Sequence, residues 1–258
     1  MVLPLDKHRR RTYYVKWKTQ GTGDAVLVAG LQKLTLLDYP GQVACTLFTG
    51  GCNFRCPFCH NASLVRPERV LSAADETEEA LSFLERRRGL LDAVVVSGGE
   101  PLLHEDLPEL LRRVRAMGFR VKLDTNGSFP ERLRAVVEEG LVDCVAMDLK
   151  NAPDLYARTT GLKLLDIAAV ERSKSYLLEG RVDYEFRTTV VRGLHTAESL
   201  RAAARWIEGA RAYFLQQYRD SGELLAPDGL GAFSDGEMRE LAEAVRPIVP
   251  AVALRGVE

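Results

Sequence analysis

Three cysteines within eight residues are the strongest chemical signal in the chain. Cys52, Cys56 and Cys59 follow an apolar segment at C-x3-C-x2-C spacing. Thiolates grouped in this way are typical ligands of an iron-sulfur cluster, and a [4Fe-4S] cube normally takes one cysteine per iron. Three local ligands without a fourth would leave one iron free to bind another molecule.

Polar groups also end three apolar, strand-like segments further along the chain. They are Ser97-Gly98-Gly99-Glu100-Pro101, Asp124-Thr125-Asn126-Gly127 and Met147-Asp148-Leu149-Lys150. In a parallel barrel the loops at the carboxyl ends of the strands meet around one mouth. We therefore expect these groups and the cysteines to face a common ligand, and the mixture of carboxylates with a lysine suits a zwitterion.

Strand and helix patterns alternate from residue 43 onward. The six candidate strands span residues 43–49, 93–97, 120–124, 144–148, 182–191 and 212–216. The helix patterns between them span residues 76–88, 107–117, 131–139, 167–178 and 197–208. This alternation predicts parallel strands joined by crossover helices. We expect an α/β fold, a partial (β/α)6 barrel like an incomplete TIM barrel with its helices outside.

Composition sets the number of domains and excludes some partners. A length of 258 residues with 46% hydrophobic content fits one sizeable core. We expect that core in residues 30–258, with residues 1–29 as a basic, loosely ordered N-terminal extension. The 35 basic and 36 acidic residues leave a net charge of −1, which favours neither nucleic acid nor an anionic membrane as a partner.

Cysteine usage and hydropathy indicate the compartment. The five cysteines are odd in number and three are clustered, which favours metal ligation in a reducing compartment over a disulfide framework. We find no apolar run long enough for a membrane span and no secretory signal pattern. A cytoplasmic protein is expected.

With these motifs in view, the chain resembles the radical S-adenosylmethionine (SAM) superfamily, and is similar to the activating enzymes of glycyl-radical proteins. The resemblance runs from about Gly30 to the C-terminus. It is greatest for the branch that activates anaerobic ribonucleoside-triphosphate reductase, because of the segment GLQKLTLLDYPG at residues 30–41 and the run Gln216-Gln217-Tyr218-Arg219.

The resemblance implies a [4Fe-4S] cluster and SAM as cofactors. Cys52, Cys56 and Cys59 would bind three irons, and SAM would chelate the fourth through its amino and carboxylate groups. The SAM contacts that it implies are Phe58, Gly98, Gly99, Glu100, Thr125, Asp148, Lys150, Arg187 and Thr189. A relative, the pyruvate formate-lyase activating enzyme, also implies a monovalent cation at Asp124, Thr125, Met147 and Asp148. That relative's ribose-contacting histidine has Gln217 and Tyr218 as its nearest counterparts here.

The same resemblance implies a function. The protein would cleave SAM reductively and abstract hydrogen from a glycine of a partner, most closely an anaerobic ribonucleotide reductase, with flavodoxin or ferredoxin as electron donor. One alternative is an activase of the pyruvate formate-lyase type. Another is a small-molecule enzyme like 7-carboxy-7-deazaguanine synthase. A third is a zinc-stabilised binding module with a Cys3His site at Cys52, Cys56, Cys59 and His60.

Overall fold

The computed structural model describes residues 28–65, 76–220, 222 and 224–257. Within them, eight strands form one open sheet in chain order, with β1 antiparallel to β2 and every later pair parallel. The strands are β1 Val28–Thr35, β2 Ala44–Thr49, β3 Ala93–Gly98, β4 Arg120–Thr125, β5 Cys144–Asp148, β6 Asp183–Val190, β7 Tyr213–Gln217 and β8 Val252–Arg255. The predicted partial parallel barrel is confirmed, and β2 to β7 are its six predicted strands.

Helices follow most of the parallel strands. They are α1 Ala62–Val65, α2 Thr77–Glu85, α3 Leu107–Ala116, α4 Pro130–Glu138, α5 Tyr156–Thr160, α6 Ile167–Leu178, α7 Ala197–Trp206 and α8 Asp235–Val245, with 3-10 turns at Pro101–Leu103 and Pro153–Leu155. The five predicted helices correspond to α2, α3, α4, α6 and α7. No helix in these ranges has the length and apolar character needed to cross a membrane.

The sequence patterns did not predict two of the strands, β1 and β8, or the long helix α8. β1 carries exposed Gln32, Lys33 and Leu34 in succession, so it lacks the alternation that marks a strand. β8 has only four residues. α8 begins at a capping box of Ser234 and Glu237, a local signal that could have found it. Of the predicted N-terminal extension, residues 1–27 lie outside the described residues, and Val28 and Ala29 open β1.

Alternation along the strands gives the sheet two different faces. In β6, Tyr184 and Phe186 point to the helix layer and join the main apolar core. Glu185 and Arg187, which alternate with them, point to the inside of the curved sheet and pair with charges on other strands. The interior of the curved sheet therefore carries charged groups on β6, and Arg187 lies toward the carboxyl ends of the strands.

A buried ion network occupies the amino-terminal half of that interior. The Lys122 side chain is 1% exposed, and its Nζ donates to the Asp38 carbonyl at 2.6 Å and to Glu185 Oε1 at 3.0 Å. Arg255 donates to both Glu185 oxygens, at 2.8 and 2.7 Å. Burial raises the pKa of Glu185, but Arg255 and Lys122 outweigh that effect and lower this pKa to about 2.

We predict that Glu185→Leu lowers the free energy of unfolding by about 3–5 kcal/mol, because it leaves the Lys122 ammonium buried without a counter-charge. The double variant Lys122→Met/Glu185→Leu should recover most of the loss. Urea unfolding of the apoprotein measures both. If the single and double variants are equally destabilised, Lys122 is not the source of the cost.

The same pair predicts a pH dependence. The folded-state pKa of Glu185 lies below the value of about 4.3 expected for an unfolded glutamate. Its contribution to stability is therefore present above about pH 4.3 and is lost as the pH falls toward about 2. Unfolding measured across this window should show a steeper acid loss in the wild type than in the double variant.

Candidate active site

The predicted site residues converge on one cavity at the carboxyl ends of the strands. Its volume is about 220 Å3. It is lined by residues that the sequence predicted to contact a ligand: Cys52, Cys56, Phe58, Cys59, Gly98, Gly99, Asp124, Thr125, Asp148, Lys150, Arg187 and Thr189. Ser97 and Asn126, from the predicted strand-end segments, also line it, as do Asn61 and Gln216, which the sequence reasoning had not placed there. Two predicted residues, Glu100 and Met147, lie behind this lining.

Backbone hydrogen bonds fix the loop that carries the three cysteines to separate parts of the chain. They run from Gly51 N to Leu64 O at 2.8 Å, from Arg55 N to Thr160 O at 2.9 Å and from Ala226 N to Pro57 O at 3.0 Å. The Arg55 guanidinium also donates to the carbonyls of Cys52 and Phe54, at 2.5 and 2.7 Å. These hydrogen bonds tie the loop to Leu64, Thr160 and Ala226.

The Gly98-Gly99 pair lies in direct backbone contact with this loop. Gly99 N donates to Thr49 O at 2.9 Å. A Cβ on Gly99 would come within 1.9 Å of the Gly51 carbonyl oxygen, and a Cβ on Gly98, whose φ is +117°, would come within 2.4 Å of Thr49 N. No side chain fits at either position without moving the backbone that leads into the cysteines.

The Glu100 carboxylate joins loops rather than lining the cavity. It is fully buried and accepts from Leu102 N at 3.1 Å, Thr125 Oγ1 at 2.8 Å and Asn126 N at 2.7 Å. Burial raises the pKa of this carboxyl to about 7, although those hydrogen bonds oppose the shift. Its position indicates that it orders the loops after β3 and β4.

Asn126 reaches the cysteine loop from the end of β4. Its Nδ2 donates to Asn53 Oδ1 at 2.9 Å and lies 3.9 Å from Cys52 Sγ, while Phe54 N lies 3.4 Å from the same sulfur. Hydrogen bonds to ligand sulfurs are one means of setting a cluster's reduction potential. In the sequence, the Asn126-Gly127 turn directly after a strand indicates that this residue lies at the carboxyl end of the sheet.

Four charged side chains form a network across the cavity floor. Arg187 donates to Asp124 Oδ2 at 3.2 Å and to Asp148 Oδ1 at 3.0 Å, and Lys150 donates to Asp148 Oδ2 at 2.8 Å. Burial raises the pKa of Asp148, but Lys150 and Arg187 outweigh it and lower that pKa to about 2. Burial raises the pKa of Asp124, whose Oδ1 is buried without a hydrogen-bond partner among the described residues.

The thiols are buried in a way that disfavours free thiolates. Burial raises the pKa of Cys56 to about 11, and the nearby Lys150 ammonium opposes this shift. Burial also raises the pKa of Cys52 and of Cys59. Among the described residues, no three His, Cys, Asp or Glu side chains are close enough together to hold one metal ion.

The four residues of the predicted cation set lie on β4 and β5, and they do not all line the cavity. Asp124, Thr125 and Asp148 line the cavity. Met147, one residue out of phase with Asp148, points to the helix layer, and a Cβ on Gly127 would lie 2.2 Å from its Cε. The Arg187 guanidinium bridges the two carboxylates. A monovalent cation at these residues stays a prediction.

The end of β7 carries Gln217 and Tyr218, the two counterparts of the relative's ribose-contacting histidine. Gln217 Nε2 donates to Phe233 O at 2.9 Å and to Asp235 Oδ1 at 3.0 Å. Tyr218 is buried, and its ring centroid lies 5.8 Å from that of His60. It is Gln216 that lines the cavity, and its amide makes no hydrogen bond to another described residue.

The chain resembles known proteins over most of its length. A sequence model described as the radical SAM superfamily matches residues 46–206. A Methanocaldococcus jannaschii protein, named provisionally as a glycyl-radical enzyme activating enzyme, is 29% identical over 245 residues that cover 90% of this chain and 96% of that protein. A 7-carboxy-7-deazaguanine synthase of Methanopyrus kandleri is 31% identical over 169 residues that cover 56% of this chain and 66% of the synthase.

Solved structures share the fold. Streptococcus suis SuiB bound to S-adenosylmethionine superposes with a TM-score of 0.62 at 14% identity. The match covers 80% of this chain and 48% of the SuiB chain, so this chain spans about half the length of SuiB.

We predict that Gly99→Ala impairs assembly of the site, because the added Cβ would lie 1.9 Å from the Gly51 carbonyl oxygen. Overpacking of this kind costs about 1–3 kcal/mol or more. Thermal unfolding of the apoprotein and iron content after anaerobic reconstitution should both fall. Gly236→Ala is the matched control, since its Cβ would meet nothing within 4 Å. Equal behaviour of the two variants would contradict the close contact.

Proposed function

The chain belongs to the radical SAM superfamily, and we propose that within it the protein generates a glycyl radical on a partner enzyme. One observation carries this proposal. The relative named provisionally as a glycyl-radical enzyme activating enzyme aligns over 90% of this chain and 96% of its own length. The alignment with the deazaguanine synthase leaves 44% of this chain unmatched.

The cavity fits the cofactors that the superfamily implies. Three thiols share it, whereas the side chains of Cys45 and Cys144 lie elsewhere in the sheet. Gly98 and Gly99 line the cavity with backbone atoms, because their missing Cβ positions point at Thr49 and Gly51 instead. The buried, unpartnered Oδ1 of Asp124 is an acceptor that the protein leaves unused among the described residues. These features suit a cluster held at three corners and a polar ligand beside it.

We assign the residues of the chain to distinct tasks. Cys52, Cys56 and Cys59 hold a [4Fe-4S] cluster, and Gly98 and Gly99 let SAM approach the backbone. When bound, the cluster supplies the electron that cleaves SAM, and SAM supplies the radical that takes hydrogen from the partner's glycine.

The charged residues of the cavity floor orient the ligand. The carboxylates of Asp124 and Asp148 suit an amino group, and the cations of Lys150 and Arg187 suit a carboxylate. Phe58, 4% exposed, covers the cavity on the cysteine side and helps to exclude water.

The proposed partner is an anaerobic ribonucleoside-triphosphate reductase, with a flavodoxin or ferredoxin as electron donor. Residues 30–41 support this finer assignment through their resemblance to that branch of the activating enzymes. Activation of an enzyme of the pyruvate formate-lyase type is the nearest alternative and would use the same cavity.

Electron paramagnetic resonance tests the function directly. The anaerobically reconstituted protein, reduced in the presence of SAM and the reductase from the same genome, should produce a glycyl doublet. Cys56→Ala should abolish both the doublet and release of 5'-deoxyadenosine, whereas Cys45→Ala, in the wall of the sheet, should retain both. Turnover of a purine-like small molecule with no doublet on any glycyl-radical protein would favour the synthase-like alternative.

We predict that Gln216→Leu weakens SAM binding about fivefold, the equivalent of one net hydrogen bond of about 1 kcal/mol. Gln216 and Thr189 are register partners on β7 and β6, both line the cavity, and neither side chain hydrogen-bonds to another described residue. Such a neutral pair suits the vicinal diol of a ribose.

Isothermal titration with SAM and with a 2',3'-dideoxy analogue measures this contact. Gln216→Leu should leave the affinity for the analogue unchanged. Gln217→Leu is the control, because its amide bonds to Phe233 and Asp235 and its loss should reduce stability without discriminating the two ligands. A similar loss of affinity for both ligands in Gln216→Leu would rule out the diol contact.

A further inference from the structure

The end of the sheet opposite the cavity presents an apolar surface. Six large apolar side chains are exposed in the described ranges, and five of them lie at this end. They are Leu34, Leu36, Leu37, Val43 and Leu90, which we call the amino-end patch. Leu34 lies at the end of antiparallel β1, Leu36 and Leu37 lie in the turn after it, and Val43 and Leu90 closely precede β2 and β3. Clusters of this kind mark interaction surfaces in soluble domains.

Hydrogen bonds join the strand ends that carry this patch. Val43 N donates to Asp92 Oδ2 at 2.9 Å, and Asp92 N donates to Val43 O at 2.8 Å. Arg120 N, at the start of β4, donates to Asp92 O at 3.1 Å. The patch therefore rests on the joined amino-terminal ends of β2, β3 and β4.

The turn that carries the two most prominent leucines is firmly anchored. Thr35 Oγ1 accepts from the backbone N of Leu37 and of Asp38, each at 3.2 Å. The Asp38 carbonyl accepts from buried Lys122, and Tyr39 is buried against a small core of Ala44, Ala93 and Val95. Leu37 is nevertheless 84% exposed. A rigid turn that holds leucines in water costs free energy unless another surface covers them.

The edge of the patch is positively charged. Lys33, Arg86, Arg87 and Arg120 are exposed around it, and none of them forms an ion pair with a described acidic residue. The Asp92 carboxylate already accepts from Val43 N. A second copy of the chain related by a two-fold axis would bring these cations together, which is unfavourable. These charges favour a partner whose contact surface has acidic residues at its rim.

We propose that the amino-end patch is a docking surface for the glycyl-radical partner, which contacts it with a surface that is apolar at the centre and acidic at the rim. This inference rests on the proposed function for the identity of the partner. The patch lies at the far end of the strands from the cavity, so binding there leaves the mouth open to the glycine-bearing segment. Once the partner is bound at the patch, entry of its glycine-bearing segment into the cavity becomes an intramolecular step.

Binding of the reconstituted, SAM-loaded protein to the reductase from the same genome tests the proposal. Biolayer interferometry under anaerobic conditions should show at least a tenfold weaker Kd for Leu36→Glu/Leu37→Glu. The variant Arg86→Glu/Arg87→Glu should weaken binding and flatten its dependence on salt. Leu164→Glu, which replaces an equally exposed leucine outside the patch, should stay within twofold of the wild type.

Release of 5'-deoxyadenosine without the partner should be unchanged in every variant, which shows that the fold and the cavity are intact. Equal affinity of the wild type and the leucine variant, or no affinity of the wild type for the reductase, overturns the docking surface. A wild-type dimer that the leucine variant dissociates would make a second copy the occupant and also overturns it. The glycyl doublet at saturating partner concentration is a separate readout, and its absence in the wild type overturns the proposed function instead.

Discussion

The site depends on one close backbone contact, the approach of Gly99 to the carbonyl of Gly51. This contact, together with the hydrogen bond from Glu100 N to Gly51 O at 2.8 Å, joins the loop after β3 to the cysteine loop after β2. The Glu100 carboxylate extends the connection to the loop after β4 by accepting from Asn126 N. Because buried carboxylates are costly unless they accept hydrogen bonds, the three donors around Glu100 are necessary to the arrangement. The cysteines are thereby positioned in part by Glu100, whose side chain does not line the cavity.

Strand parity explains why charges lie inside this sheet. Residues two apart share a face, so Lys122 and Asp124 on β4, and Glu185 and Arg187 on β6, form two layers along the interior. In each layer cations and carboxylates neutralise one another, which is the condition for burying them. The amino-terminal layer is closed off by Tyr39 and Arg255. The carboxyl-terminal layer opens on the cavity and retains an unused carboxylate oxygen at Asp124.

The strands and the location of the cavity could be predicted from the sequence, because they depend on local patterns. Apolar runs predicted β2 to β7, and the parallel topology predicted that the cysteine loop would meet the loops after β3, β4 and β5 around one cavity. The sequence patterns did not predict on which face of the sheet a given side chain lies, nor which distant residues hydrogen-bond to one another. Met147 and Asp148 are neighbours in the chain yet serve opposite faces. Gln217, a counterpart of the relative's ribose-contacting histidine, bonds to residues sixteen and eighteen positions later. Such outcomes depend on where strands lie in space, which spacing alone does not specify.

The cavity alone does not separate one radical SAM reaction from another. Under the proposed function its cysteines, glycines and charged floor bind the cofactors, and proteins named for different activities both align with this chain. What a member acts on must be decided where the chain departs from that common machinery. Residues 34–41 lie outside the cavity, at the other end of the strands, where Tyr39 is buried and Leu36 and Leu37 are exposed. A surface remote from the cavity, such as the amino-end patch, can then set the selectivity for a macromolecule. Binding at that surface raises the local concentration of the partner's glycine at the cavity without altering the cavity itself.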